Sequence, residues 1–303
     1  MKILITGGTG FIGQRLVAAM VAGGKTAVTL LLRESYSHTD LAPLPPALVA
    51  LRAQFDVVYA DLRNFQLTVS AVRQAKPDCV IHLAAAGVSD PFLGIDTALR
   101  HNLNGTINLI RACFEKNSGV RQLIVGRTPG ERSSMNVYAA SKAAAWNFCE
   151  MYARTQRWPI HGAMIFQAYG SGQPSQNLIP AAMLAALSGQ DFPMTAGTQQ
   201  RDWIYIEDVV AGLRQMVGKA LPPATTIELG TGQLVNVADV VHHIYALVDG
   251  AGEPRIGMLP SRSGEEAVQI ADVAAAKELI GWQTAVSLPV GLQYVINNAK
   301  SSP

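Results

Sequence analysis

The chain opens MKILITGGTGFIG, residues 1–13, and the reading of this stretch decides the fold. Lys2–Thr6 is a short apolar strand, and Phe11–Ala22 has helical spacing through Ile12, Leu16, Ala19 and Met20. Between them stand Gly7, Gly8, Gly10 and Gly13. Glycine weakens both strands and helices, so this density needs a cause. In Gly7-x-x-Gly10-x-x-Gly13 the first glycine permits a tight strand-to-helix turn. The second lets a pyrophosphate touch the backbone, and the third lets the helix pack on the strand. The helix N-terminus adds unpaired N–H groups and a partial positive charge. A bare turn would also accept spaced glycines, but the strand–loop–helix context that dinucleotide binding requires is met. The expected cofactor contacts here are Gly7, Gly10, Phe11, Ile12 and Gly13.

Outward from this loop, strand-like and helix-like segments alternate. Ala27–Leu32 is apolar throughout, as a parallel strand covered on both faces should be. Asp56–Ala60, Cys79–Leu83, Gln122–Val125 and Ile160–Phe166 read as further strands, Asn104–Phe114 and Val137–Thr155 as helices, and Ser35–Pro46 as a loop. Such alternation predicts an α/β fold with a doubly wound parallel sheet, Rossmann-like, over residues 1–166. Beyond residue 167 the chain turns rich in Gly, Pro, Ser and Gln, then offers a helix at Ala181–Leu187 and a strand at Thr226–Leu229. Residues 167–303 are therefore expected to form a smaller, mixed α/β substrate region, interleaved with the sheet near 226–229.

The totals set limits. With 49% hydrophobic and 15% charged residues and a net charge of +2, nothing calls for nucleic acid or an anionic membrane as partner. Cys79, Cys113 and Cys149 are scattered and His242 and His243 point apart, so no metal site is expected. Three apolar residues after Lys2 are too few for a signal-peptide core, and no run approaches the roughly eighteen residues of a membrane span. A soluble cytoplasmic protein is the expectation.

Tyr138 and Lys142 stand four apart, on one face of a predicted helix. A free phenol, with a pKa near ~10, is a poor base at neutral pH; a nearby ammonium stabilises the phenolate and makes it a working acid/base. A surface pair on a helix would show the same spacing. The order of motifs favours catalysis. TGGTGFIG, Asp61-Leu62, His82-Leu83-Ala84-Ala85, Asn102-Leu103-Asn104-Gly105-Thr106, Tyr138-Ala-Ala-Ser-Lys142, Tyr169-Gly170, Arg201-Asp202-Trp203 and Arg262 occur in sequence. Across nearly the whole chain this resembles the extended branch of the short-chain dehydrogenase/reductase superfamily, whose members act on nucleotide-activated sugars with NAD or NADP.

The resemblance implies cofactor contacts from Asp61 and Leu62 (adenine), from Leu83, Ala84 and Ala85 after the fourth strand, and from Asn102, Tyr138, Lys142 and Gln167. Where an acid would favour NAD at the end of the second strand, the chain has Arg33, with Glu34 displaced by one. Arg33 suits a 2′-phosphate and tilts the expectation toward NADP; as a solvated loop residue it would say nothing. The resemblance also implies a hydroxyl after the fifth strand. Thr128 is the best match, ahead of Ser133 and Ser134, yet it precedes Tyr138 by ten residues where the family places twenty or more. Either the loop is short or residues are missing from it. Family dehydratases follow that hydroxyl with an Asp-Glu pair; here Pro129, Gly130 and Glu131 follow. A 4-epimerase or 4-ketoreductase is therefore expected rather than a dehydratase.

Arg201 and Arg262 match two arginines that grip the nucleotide's diphosphate, a pairing suited to guanidinium forks, with Asn177 as a weaker substrate contact. Gln167 stands where the family often has Asn. Ala144, Phe148, Met151 and Tyr152 form an apolar stripe that the resemblance implies pairs with its copy in a homodimer, though ordinary core would read the same way. Two other readings stay open: a dinucleotide-binding sensor without catalysis, and a reductase of a non-nucleotide carbonyl compound.

Overall fold

The computed structural model describes residues 1–37, 42–88, 90, 92–116, 118–261 and 264–301. In chain order the first half runs β1 (Lys2–Thr6), α1 (Phe11–Ala22), β2 (Ala27–Leu32), α2 (Pro46–Val49), β3 (Asp56–Tyr59), α3 (Phe65–Ala75), β4 (Cys79–His82), α4 (Ile95–Ala98), α5 (Gly105–Phe114), β5 (Gln122–Arg127), α6 (Val137–Gln156) and β6 (Ile160–Ile165). The second half runs β7 (Gln167–Tyr169), α7 (Leu178–Leu187), β8 (Phe192–Pro193), β9 (Gln200–Arg201), β10 (Trp203–Tyr205), α8 (Ile206–Met216), β11 (Thr226–Leu229), β12 (Val235–Asn236), α9 (Val237–Val248), β13 (Pro254–Arg255), β14 (Val268–Gln269) and α10 (Leu288–Ser301).

Seven strands form one sheet in the order β11-β6-β5-β4-β1-β2-β3. The pairs β1–β2, β1–β4, β2–β3, β4–β5 and β5–β6 are all parallel. The order reverses at β1, so the open end of β1 and β4 is the switch point where such sheets take ligands. This is the doubly wound Rossmann-like core expected from the alternating pattern. The inner strands are buried on both faces, with Ile3, Leu4 and Ile5 of β1 and Val80 and Ile81 of β4 sealed from solvent, which is why their sequences lack polar alternation.

The chain divides into two compact units: one of residues 1–164, 210–227 and 279–281, the other of 165–209, 228–278 and 282–303. The second is a smaller mixed α/β unit whose short strands make the pairs β7–β10 and β8–β13 and the three-stranded β12-β9-β14. It has its own core around Tyr169, Ile179, Met183, Trp203, Ile244 and Leu292. Its organising polar group is Asp202. The fully buried carboxylate accepts from Thr231 N–H (2.7 Å), Thr231 Oγ1 (2.7 Å), Gly232 N–H (2.8 Å) and Ala271 N–H (3.2 Å). A buried anion is tolerated when it is this fully hydrogen-bonded.

Candidate active site

The glycines of the opening loop divide into two kinds. Gly7 has a positive φ (73°), and a Cβ there would stand 2.5 Å from Ala84 N and from the carbonyl carbon of Leu83. A Cβ on Gly13 would stand 2.1 Å from Gly7 O and 2.7 Å from Gly8 Cα. Both are glycine because the polypeptide itself comes too close. Gly10 differs: its Cβ would meet nothing nearer than Gly7 O at 3.4 Å. It is the N-cap of α1 and supplies no side-chain cap, so the first-turn N–H groups, with Phe11 and Ile12 half-buried beside them, stay open to an anion. This cradle fits the pyrophosphate of a dinucleotide.

A buried hydrogen-bond chain stands behind the loop. Ala84 N–H donates to Thr6 Oγ1 (3.3 Å), Thr6 Oγ1 lies 2.7 Å from His82 Nδ1, His82 Nε2 lies 2.9 Å from Thr106 Oγ1, and Thr106 Oγ1 donates to Asn102 O (2.7 Å). Because the Thr106 proton goes to Asn102 O, His82 Nε2 must carry the proton and Nδ1 must accept from Thr6. Burial, then the nearby Lys142 charge, pushes the imidazole down to about 3; His82 is neutral at physiological pH. Asn102, at the heart of a π-helical stretch Leu99–Asn104, uses its whole amide. Oδ1 accepts Ala86 N–H (2.8 Å), and Nδ2 donates to Ala86 O (3.0 Å) and to Ser141 Oγ (3.0 Å), which donates to Tyr138 O (2.7 Å). The loop of half-buried Leu83, Ala84 and Ala85 is thereby tied to the helix bearing Tyr138 and Lys142.

Asn136 caps that helix, accepting from Ala139 N–H (2.8 Å). Thr128 directly follows β5 and opens a 3-10 turn, Pro129–Arg132, in a capping box with Glu131. Glu131 Oε1 accepts Thr128 N–H (3.0 Å), and Oε2 accepts Arg127 Nε (2.8 Å). Tyr138 is half-buried; burial, and then the Glu131 carboxylate, push its phenol above the ordinary range. Lys142 is buried, and burial lowers its ammonium against an opposing pull from Glu131. In the sequence Glu131 reads only as a lone acid where dehydratases have an Asp-Glu pair; its three-residue spacing from Thr128 is the capping-box signal that identifies its role here.

Toward the expected adenosine end, Arg33 is exposed just beyond β2. Asp61 is gripped by Arg63, whose Nε lies 3.0 and 2.9 Å from its two oxygens; both border an open groove of about 700 Å³ together with Phe65, Arg100 and Asn104. Leu62 packs against the core of the first unit, and its carbonyl accepts from Asn108 Nδ2 (2.8 Å). His101 is lowered by burial first, then by Arg63, with Asp61 opposing and Arg33 adding to the fall, so these cations share one locality.

In the second unit Gln167 is exposed in β7, its N–H donating to Asp202 O (3.0 Å). Asn177 is the half-buried N-cap of α7, with no side-chain cap bond. Arg201 is 3% exposed; it donates to Glu265 Oε1 (3.2 Å), Gln200 O (2.9 Å) and Ala267 O (3.4 Å). Its guanidinium is thus already held in place, by a Glu265 that sequence reasoning missed. Arg262 lies outside the described residues. Among the described residues no cluster of three or more His, Cys, Asp or Glu side chains is arranged to hold a metal ion, and no helix is long and apolar enough to cross a membrane.

The model of the NAD dependent epimerase/dehydratase family matches residues 3–230. A dTDP-glucose 4,6-dehydratase of Neisseria gonorrhoeae is 30% identical, over 97% of this chain and 94% of its own. Among solved structures, UDP-glucuronic acid 4-epimerase from Bacillus cereus, in complex with UDP-glucuronic acid and NAD, aligns with a TM-score of 0.84 at 22% identity. MoeE5, likewise in complex with UDP-glucuronic acid and NAD, aligns with a TM-score of 0.84 at 24% identity. Each covers 99% of both chains.

Proposed function

The chain belongs to the NAD dependent epimerase/dehydratase family, and from that premise we propose that it is a 4-epimerase or 4-ketoreductase of a nucleotide-activated sugar. The bound dinucleotide would supply the hydride acceptor and donor. Gly7, Gly10 and Gly13 shape the cradle for its pyrophosphate, and Lys142 and Tyr138 face the reacting end. Thr128, whose side chain accepts from Glu131 N–H in the capping box, orients the substrate oxygen. Tyr138, whose protonated form is favoured by burial and by Glu131, donates to a ketone oxygen in the reductive direction, and its phenolate takes the hydroxyl proton in the oxidative one.

The observation that carries the choice is Glu131. Eliminating water needs an acid and a base with free oxygens, and both Glu131 oxygens are engaged, by Thr128 N–H at 3.0 Å and Arg127 Nε at 2.8 Å. A second reading, dehydration, is favoured by the 30% identity to the Neisseria enzyme. Mass spectrometry and NMR of UDP- and dTDP-hexoses after incubation, and of their 4-keto derivatives incubated with NADH or NADPH, separate them. Unchanged mass with inverted stereochemistry supports epimerisation, two added hydrogens with equimolar cofactor oxidised supports reduction, and loss of one water overturns both in favour of dehydration.

The family description and the solved structures support NAD; Arg33, whose charge adds to that of Arg63 on His101, makes NADP the competitor. Arg33→Ala should weaken NADP about tenfold, ~1.4 kcal/mol, and leave NAD nearly untouched; equal effects on both would remove Arg33 from cofactor choice. We also propose that the homodimer forms through α6. Of the stripe read from the sequence, Phe148 is 41% exposed; Ile95 (63%) in α4 and Leu99 (38%) in the π-helical stretch are exposed as well. Tyr152 instead stacks on Trp158 at 4.6 Å in the core.

A further inference from the structure

We propose that Arg127 and Glu131 are the positioning pair of the reacting residues, anchoring the short connection from Thr128 to Tyr138 and balancing the charge that Tyr138 and Lys142 face. The proposal rests on the assignment of Tyr138 and Lys142 above. Arg127 is the hub of three elements: Nε on Glu131 of the 3-10 turn (2.8 Å), NH1 on Thr226 Oγ1 of β11 (2.8 Å), and its guanidinium 4.2 Å from the Trp146 ring centroid of α6. The pair is sheltered, with side chains 13% and 2% exposed. Stranding either partner therefore leaves a charge out of water.

Two glycines make room for it. A Cβ on Gly162, in the middle of β6, would stand 2.6 Å from Thr226 Oγ1, 2.8 Å from Arg127 Cδ and 3.1 Å from the Trp146 ring. Glycine weakens a strand interior unless something passes close by; here it is Arg127. A Cβ on Gly130 would stand 2.9 Å from Met135 Sδ and 3.4 Å from Ala139 Cβ, so the turn lies directly on the first turn of α6. With Glu131 reaching back to Thr128 N–H, the pair sets where Thr128 ends and Tyr138 begins. The Glu131 charge bears on both Tyr138 and Lys142, and Arg127, Cys149 and His82 are electrostatically coupled to Lys142 as well.

A purely structural role and an electrostatic one predict different titrations. In protein saturated with NAD, the phenolate absorbance of Tyr138 is isolated by subtracting the matching Tyr138→Phe protein. Glu131→Gln should bring its onset down by about one pH unit, a tenfold change in proton affinity, and Arg127→Gln should move it up. Shifts of the same sign, or none, overturn the electrostatic half. Should either single variant fail to fold, the paired Arg127→Gln/Glu131→Gln protein has no stranded charge and should titrate near the unsubstituted protein; a large shift there overturns it equally. Glu131→Asp keeps the charge but shortens the reach to Thr128. It should slow hydride transfer about tenfold or more with the Tyr138 titration unmoved, and a normal rate overturns the positioning half. The titrations need no sugar, so failure of the nucleotide-sugar reading appears separately, as absence of turnover by the unsubstituted protein.

Discussion

Gly10 and Gly13 look alike in the sequence, and the structure separates them. Gly13→Val would drive side-chain carbons into the Gly7 backbone and should cost about 3 kcal/mol or more of stability. Gly10, at φ −79° and ψ 173° with a Cβ there only in van der Waals contact with Gly7 O, can accept a side chain without backbone strain. Gly10→Val should melt within about 1 kcal/mol of the unsubstituted protein yet lose dinucleotide binding in a fluorescence titration; retained binding would refute the cradle. Tyr138→Phe tests the neighbouring claim. It should keep cofactor affinity while hydride transfer falls by roughly 10²–10⁴-fold, and near-normal turnover would remove Tyr138 from the chemistry.

Between elements, the Thr6–His82–Thr106–Asn102 chain joins β1, β4 and the π-helical stretch to α6. Its sign with pH follows from the neutral imidazole. Folded, His82 protonates only near pH 3; unfolded, it protonates near ~6.5. Its contribution is fully present above ~6.5 and falls by about 1.4 kcal/mol per pH unit as the pH drops toward 3. Denaturant melts across that window should show a steeper pH dependence than in His82→Gln; equal slopes would mean His82 is charged in the folded state. Much of this level was legible. The strands β1, β2 and β11 and helix α1 match their sequence readings end to end, because continuous apolar runs and helical spacing survive burial unchanged. Helix α3, by contrast, has no counterpart in the sequence reading, and the bonds of the Asn102 amide to Ala86 and Ser141 reach residues 16 and 39 positions away, which local spacing does not reveal.

For the molecule as a whole, the chain builds two units, each with a core of its own, and leaves apolar side chains uncovered on the first. Phe148, on α6, and Ile95 and Leu99, on the segment before α5, are exposed apolar side chains, and the proposed dimer would bury them. Phe148→Glu should shift the protein from dimer to monomer in sedimentation velocity with little loss of monomer stability, since the side chain touches water already. An unsubstituted protein that sediments as a monomer would dismiss this interface.

The sequence by itself determined the alternating α/β frame, the glycine loop and the four-residue spacing of Tyr138 and Lys142, since each is a local pattern set by backbone geometry. Only the tertiary structure decided which glycine leaves room for a side chain, which nitrogen of His82 carries the proton, that Arg201 is held by Glu265, and that Glu131 is bound at both oxygens. Those facts depend on contacts between residues distant in the chain, where packing and hydrogen-bond satisfaction, not local spacing, choose the partner.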